Sequence, residues 1–359
     1  MNEVTGVGGV LAIIDFPHRQ SAHCESGVTA NLLNHAGLPL SEAMVFGLGA
    51  GLFFGYVPFV KLNGFPLTTY RCRPGGIFSR VTKSLQCSVH QKRYRNKDAA
   101  MDDLDQMLKQ GMVVGLQTSV FWLPYIPAAL RFHFNAHNLV VIGKEDNRYL
   151  ISDPVMPDLV WCDRDDLINA RFAQGPLAPK GRCYLLENPP KVTDLRQPIL
   201  RGIRTVCRDM LAPIPIGGVR GMRFMARSMR GWEQQYGKRR ALSCLAQLIR
   251  MQEEIGTGGA GFRFIYAAFL QEVAGLLAAP ALATLAEQLT VIGDTWREFA
   301  VQATRCCKGR SEATFDQLAD FIEANANTEE RFFRELRLVG RQLEKNTAKN
   351  KNGESTVAR

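Results

Sequence analysis

Residues 23–37 read HCESGVTANLLNHAG, and the fold follows from that stretch. Val28, Leu32 and Leu33 recur at helical spacing behind Cys24, and Gly37-Leu38-Pro39 stops the pattern. The spacing predicts a helix that begins at or just after Cys24. A cysteine there meets the unpaired N–H groups and partial positive charge of a helix start, which favour the thiolate, the nucleophilic form. A single cysteine is more often an inert buried side chain, so the chemistry needs partners from elsewhere in the chain.

Two partners stand in HNLVVIGKEDNRYLISDP, residues 137–154. His137 opens one apolar run and Asp153 closes the next, so two adjacent antiparallel strands would set imidazole beside carboxylate. The carboxylate would orient the ring and stabilise its charged form. Each residue also has a purely structural reading, a histidine at a strand start and an Asp-Pro turn. The combination with Cys24 is more specific than its parts.

Around these residues the periodicity changes twice. Ser41-Glu42-Ala43-Met44 opens a short helix, and FGLGAGLFFGY (46–56) is too rich in glycine for regular structure, which implies close passage past other backbone. Asp98–Gln110 is an amphipathic helix ending at Gly111. Met112–Phe121, Asn138–Lys144, Arg148–Ser152, Leu159–Cys162 and Arg182–Glu187 are short, β-branched or aromatic, and read as an antiparallel sheet. Beyond Asn188-Pro189-Pro190 helical patterns run to about Glu344, and the remaining stretch is polar and aperiodic. The expected organisation is an α+β domain over 1–190, an α-helical domain over 191–344 and a disordered tail over 345–359.

Composition bounds the rest. The 359 residues, 46% of them apolar, can fill two cores. Gly47–Val60 is broken by glycines and falls short of the roughly 20 residues a bilayer span needs, so no membrane segment is expected. The N-terminus lacks the pattern of a secretory signal, which makes the cytoplasm the expected location. Nine cysteines without CxxC spacing suggest free thiols. The net charge of +10 is regional: residues 71–97 carry eight Lys or Arg and no acid, and 191–250 carry thirteen against three.

The run HCESGVTANLLNHAGLPLSEAMVFGLGAGLFF, residues 23–54, resembles the N-terminal domain of the butirosin biosynthesis protein H family, a relative of the peptidase-C39-like branch of papain-like enzymes. Residues 137–154 fit the same family's second block, and GTGGAGFRFIYAAFLQE, residues 256–272, resembles the helical domain usually fused to it. The resemblance implies a papain-like fold and acyl transfer in secondary-metabolite, antibiotic-type biosynthesis. An acyl group would pass from an acyl carrier protein thioester to a small amine, with Cys24 as nucleophile, His137 as base and Asp153 as orienter. No bound cofactor is implied, because the carrier supplies the 4'-phosphopantetheine thioester.

Papain-like enzymes usually place an oxyanion-binding glutamine shortly before the cysteine, and the equivalent position here is His18. Gln20 is the nearest glutamine, and the Cys24 backbone N–H is a donor in either case. Glu25 stands where the wider C39 branch has glycine, which weakens a peptidase reading.

Other motifs carry less. Gly47, Gly49 and Gly51 lack the GK[ST] of a phosphate loop, so they read as packing against the catalytic helix or as a wall of an acyl pocket. His133 and His137 have helical metal spacing, yet their aromatic neighbours and the following strand argue against a helix, and no metal is expected. Arg220, Arg223, Arg227 and Arg230 align on one helix face, and Arg201, Arg204 and Arg208 repeat the pattern. Such faces are often only solvated, but they also suit an acidic carrier protein whose phosphate one arginine would hold. Nucleic acid is disfavoured because no stacking aromatics are interleaved. The GTGGAG turn serves as a chain reversal or an anion site.

Three functions follow: a carrier-dependent acyltransferase, a cysteine peptidase or thioesterase that uses water, and a non-catalytic carrier-binding scaffold. The oligomeric state, a homodimer included, is open at this stage.

Overall fold

A computed structural model describes residues 13–62, 64–311 and 313–357, with side chains as far as 346. In chain order the elements are α1 (Cys24–His35), α2 (Glu42–Leu48), β1 (Leu52–Leu62), β2 (Phe65–Arg71), α3 (Gly76–Ser84), β3 (Val89–Lys92), α4 (Lys97–Lys109), β4 (Val114–Thr118), β5 (His137–Glu145), β6 (Arg148–Ser152) and β7 (Val160–Asp163). They continue as α5 (Arg164–Arg171), β8 (Cys183–Leu186), α6 (Arg196–Met210), α7 (Gly218–Arg230), α8 (Trp232–Tyr236), α9 (Lys238–Glu253), α10 (Arg263–Leu276), α11 (Pro280–Cys307) and α12 (Phe315–Val357).

The chain forms two compact units, one of residues 1–42 and 82–193, the other of 43–81 and 194–359. The first holds a six-stranded sheet in the order β3-β8-β4-β5-β6-β7, with every pair antiparallel. Central β5 is buried from His137 to Gly143, as a strand covered on both faces must be. Leu139 and Val141 pack with Ala100, Met101, Leu104 and Leu108 of α4, whose spacing makes one helical face. Asn96 caps that helix by accepting from the Ala99 N–H at 3.0 Å.

The expected continuous 1–190 domain is interrupted. Residues 43–81 carry apolar side chains whose partners lie in the helices far downstream: Phe54 and Tyr70 both pack on Trp296, and the Tyr56 hydroxyl bonds to Ser228 at 2.9 Å. Long-range aromatic contacts of this kind leave no local periodicity. Residues 52–71 therefore form a paired hairpin, β1 and β2, despite Pro58 and Pro66.

The three glycines before it serve the same packing. A Cβ on Gly47 would lie 2.2 Å from the Phe269 ring, on Gly49 2.7 Å from Ile77, and on Gly51 2.4 Å from the Phe46 ring. Their neighbours belong to the second unit, so the expected packing against the catalytic helix is corrected.

The stretch 345–357 is corrected as well, while 358 and 359 lie outside the described residues. α12 runs on to Val357. Lys, Glu and Ala are good helix formers, and extending an existing helix escapes the cost of nucleating a new one. The lack of an apolar face removes a packing partner, not the helix. All nine cysteines are free thiols.

Candidate active site

Cys24 is the first residue of α1, and the turn before it is held by a carboxylate. Glu42 accepts from the backbone N–H groups of Ala22 at 2.9 Å and His23 at 2.7 Å, and from the Ser26 hydroxyl at 3.1 Å. Burial raises the Glu42 pKa, and these three donors oppose the rise. His23 caps the helix, its Nδ1 lying 2.9 Å from Ser26 Oγ. The opposite side of the helix is fixed by Gly27, where a Cβ would come within 2.6 Å of Ser21 and 2.7 Å of Pro154. Glycine in a helix costs roughly 1 kcal/mol against alanine. Here it lets the turn that carries Asp153 and Pro154 approach α1.

Replacing Glu42 with alanine leaves the His23 N–H buried without its acceptor, at a cost of about 1–3 kcal/mol. The expected result is a lower denaturation midpoint together with slower alkylation of Cys24. A Glu42→Ala protein unchanged in both would show that the clasp is incidental.

Register brings the end of β6 beside the start of β5, with Val140 opposite Ser152. His137 Nε2 and Asp153 Oδ2 are 2.7 Å apart. His137 is also hydrogen-bonded to Cys24. Exposure is 7% for Cys24, 4% for His137 and 0% for Asp153, so the whole group is withdrawn from water. Burial alone disfavours a charged imidazole, but the Asp153 carboxylate and then Cys24 outweigh it, and the His137 pKa is pushed up to about 10. An imidazolium beside the sulfur favours thiolate.

Asp153 is itself positioned. The Tyr125 hydroxyl donates to Oδ2 at 2.9 Å and the Val155 N–H to Oδ1 at 3.2 Å. Burial, followed by the Asp153 charge, holds the Tyr125 pKa well above its ordinary value, so it remains a donor. Tyr125 comes from the 119–136 segment between β4 and β5, which also exposes Phe121, Trp122 and Leu130.

His18 has a different task from the oxyanion role. Its Nδ1 lies 2.8 Å from Ser152 Oγ and its Nε2 3.2 Å from the Met156 carbonyl, so the ring clasps the turn that carries Asp153 and has no nitrogen left for a substrate oxygen. Gln20 is exposed. The Cys24 backbone N–H stands at the start of α1.

The arginine stripe on α7 is divided. Arg223 bonds Glu330 and Asn327, and Arg230 meets Asp316, Asp320 and Glu323, all on α12. These two are consumed within the helical unit, a correction to their reading as phosphate-binding residues. Arg220 and Arg227 are exposed, with no carboxylate paired to them among the described residues. At GTGGAG, Glu253 takes the Ala260 N–H with both oxygens, at 3.1 and 3.2 Å, so an internal carboxylate fills the place of an external anion. His133 is exposed and stacks on Phe121.

The described residues contain no metal-binding group of three or more His, Cys, Asp or Glu. No described helix is long and apolar enough to cross a membrane.

Comparison with known proteins divides the chain by sequence order, so each matched region takes in parts of both compact units. Residues 23–154, which contain Cys24, His137 and Asp153, match the family described as butirosin biosynthesis protein H, N-terminal. That stretch of the chain is similar to this family's N-terminal domain. The matched stretch contains strands of the antiparallel sheet, and a helical region follows downstream. Residues 165–336 match a domain of unknown function, DUF4872. No curated protein matches the chain. Among solved structures it is similar to a chain from Bacillus anthracis assigned as a C39-like peptidase, at 16% identity and a TM-score of 0.36, covering 50% of this chain and 98% of that one.

Glu42, Tyr125, Asn138 and Tyr184 also belong to the site, and sequence reasoning singled out none of them. Glu42 lies in the quoted family run and carried a signal. The other three are brought in by the sheet and by a loop, and only the pairing register reveals them.

Proposed function

We propose that the protein is an acyltransferase that moves an acyl group from an acyl carrier protein thioester to an amine, forming an amide through an acyl-Cys24 intermediate. The observation that supports it best is the burial of a Cys24–His137–Asp153 group within residues that match a biosynthesis-protein domain. Transfer outruns hydrolysis only where water is kept from the acyl-enzyme, and this group is almost fully withdrawn from solvent.

The Cys24 thiolate attacks the thioester carbonyl. The carbon–sulfur bond to the pantetheine breaks, and the departing thiolate takes the His137 proton. Neutral His137 then accepts a proton from the incoming amine as nitrogen attacks the acyl-enzyme, and Cys24 leaves as thiolate. The two steps return the charge pair to its starting state. The Cys24 N–H, at a helix start, supports the oxyanion in both.

The carrier is proposed to dock through basic surface. On α7 that role now rests on Arg220 and Arg227, because Arg223 and Arg230 already have partners.

The test is mass spectrometry of the protein after incubation with acyl-loaded carrier protein, first without and then with amines. Acyl mass on Cys24 that disappears on adding an amine, with amide appearing, is the expected result. Acyl mass that disappears equally fast without amine would establish hydrolysis, and no acyl mass at all would leave the scaffold reading.

A further inference from the structure

We propose that Asn138 is a catalytic donor to the Cys24 sulfur and that Tyr184, reaching it across a neighbouring strand, holds it in place. The inference rests on the covalent role of Cys24 proposed above and adds a residue to it.

Asn138 follows His137 on β5 and is buried, with 4% of its surface exposed. Its Nδ2 lies 3.9 Å from Cys24 Sγ, within reach of an N–H to a sulfur acceptor. The orientation of the amide follows from its other contacts. Nδ2 also lies 3.1 Å from the Ala136 carbonyl, and the Tyr184 hydroxyl lies 2.8 Å from Oδ1. Reversing the amide would set its oxygen against the Ala136 carbonyl, two acceptors face to face. One Nδ2 hydrogen therefore goes to Ala136, and the second points toward the sulfur.

Tyr184 belongs to β8, and β4 lies between it and β5. Its ring crosses β4 at Gly115, the residue it pairs with. A Cβ there would sit 2.4 Å from the Tyr184 ring, so a side chain of any size would close the path. Glycine inside a strand weakens it and is found where another group must approach closely. Burial raises the Tyr184 pKa, which keeps the phenol protonated and able to donate.

The sulfur thus meets two donors, the His137 ring and the Asn138 amide. An amide N–H strengthens as its acceptor gains charge, so it favours thiolate over thiol and makes the nucleophile available at lower pH.

The experiment is the rate of iodoacetamide alkylation at Cys24, read by peptide mass spectrometry as a function of pH, on the full chain. Asn138→Leu is expected to raise the alkylation midpoint by about one pH unit, equivalent to a tenfold loss of thiolate below it. Tyr184→Phe, which removes one hydroxyl and keeps the ring, is expected to move it the same way by less. The double variant should shift no further than Asn138→Leu alone, because Tyr184 acts through Asn138. A residue that only braces the fold would lower the denaturation midpoint and leave the alkylation midpoint in place.

If Asn138→Leu does not fold, Tyr184→Phe carries the test. Unmoved alkylation midpoints in the folded variants would overturn the proposal. The wild-type midpoint answers a separate question: a value near the ordinary thiol range of about 8.5 would count against the thiolate–imidazolium reading itself.

Discussion

Cys24→Ala is expected to lose acyl transfer by roughly 10⁴-fold or more, because removing the nucleophile of a cooperating triad leaves only binding and oxyanion stabilisation. Cys24→Ser keeps a hydroxyl but no thiolate near neutral pH, so it should fall almost as far. His137→Ala should match them, since the residues act as a unit and their losses do not add. The protein's fold should survive the Cys24 changes, as a small side chain replaces a small one. Turnover retained in Cys24→Ala would end the covalent mechanism and leave the carrier-binding scaffold.

The pH dependence separates the two halves of the site. His137 carries its proton up to about 10, so the ring is charged across neutral pH. Transfer, which needs the imidazolium to protonate the departing pantetheine sulfur, should fall as pH rises through that value. Alkylation needs only the thiolate and should not fall there. Loss of transfer well below pH 10, with alkylation undiminished, would mean that Asp153 does not hold the ring charged.

The site was legible where chemistry and local pattern coincide. Cys24 at a helix start, His137 at a strand start and Asp153 in an Asp-Pro turn each carry a local signature, and the structure brings the three together. Asn138 has no such signature. Its place follows from β4 and β8 lying next to β5, and from Gly115 leaving room for a ring two strands away. Strand pairing is a long-range choice, so the sequence around Asn138 does not state it.

The same limit explains the division of the chain. Residues 43–81 look like a continuation of the first domain because they follow it, while the surfaces that bury them include rings and helices that lie beyond residue 194 in the chain. Charge was legible in amount and not in use. The spacing of Arg220, Arg223, Arg227 and Arg230 correctly implies one helix, α7. That α12 would supply Glu330, Asp316, Asp320 and Glu323 to two of them depends on helix pairing, which spacing on one helix does not reveal.

The largest stability effect is expected from Glu329. Arg263 and Glu329 meet in two parallel bonds of 2.9 Å, with both side chains at 0% exposure. The Trp296 indole donates to Glu329 at 2.6 Å, and Arg263 donates to the Gly261 carbonyl at 2.8 Å and stacks near the Trp296 and Tyr70 rings. Every partner is internal, so losing one leaves a charge that water cannot reach. Glu329→Gln should therefore cost about 3–5 kcal/mol, a large part of the 5–15 kcal/mol that holds a typical domain folded. The pair need not be net stabilising to have this effect, because the penalty comes from the stranded guanidinium. Arg263→Met combined with Glu329→Leu should accordingly recover much of the loss, as an apolar pair of similar volume leaves no charge behind. Urea titration of the three proteins decides it: a cost below about 1 kcal/mol for Glu329→Gln, or a double variant worse than the single, would show that water or another group already screens Arg263.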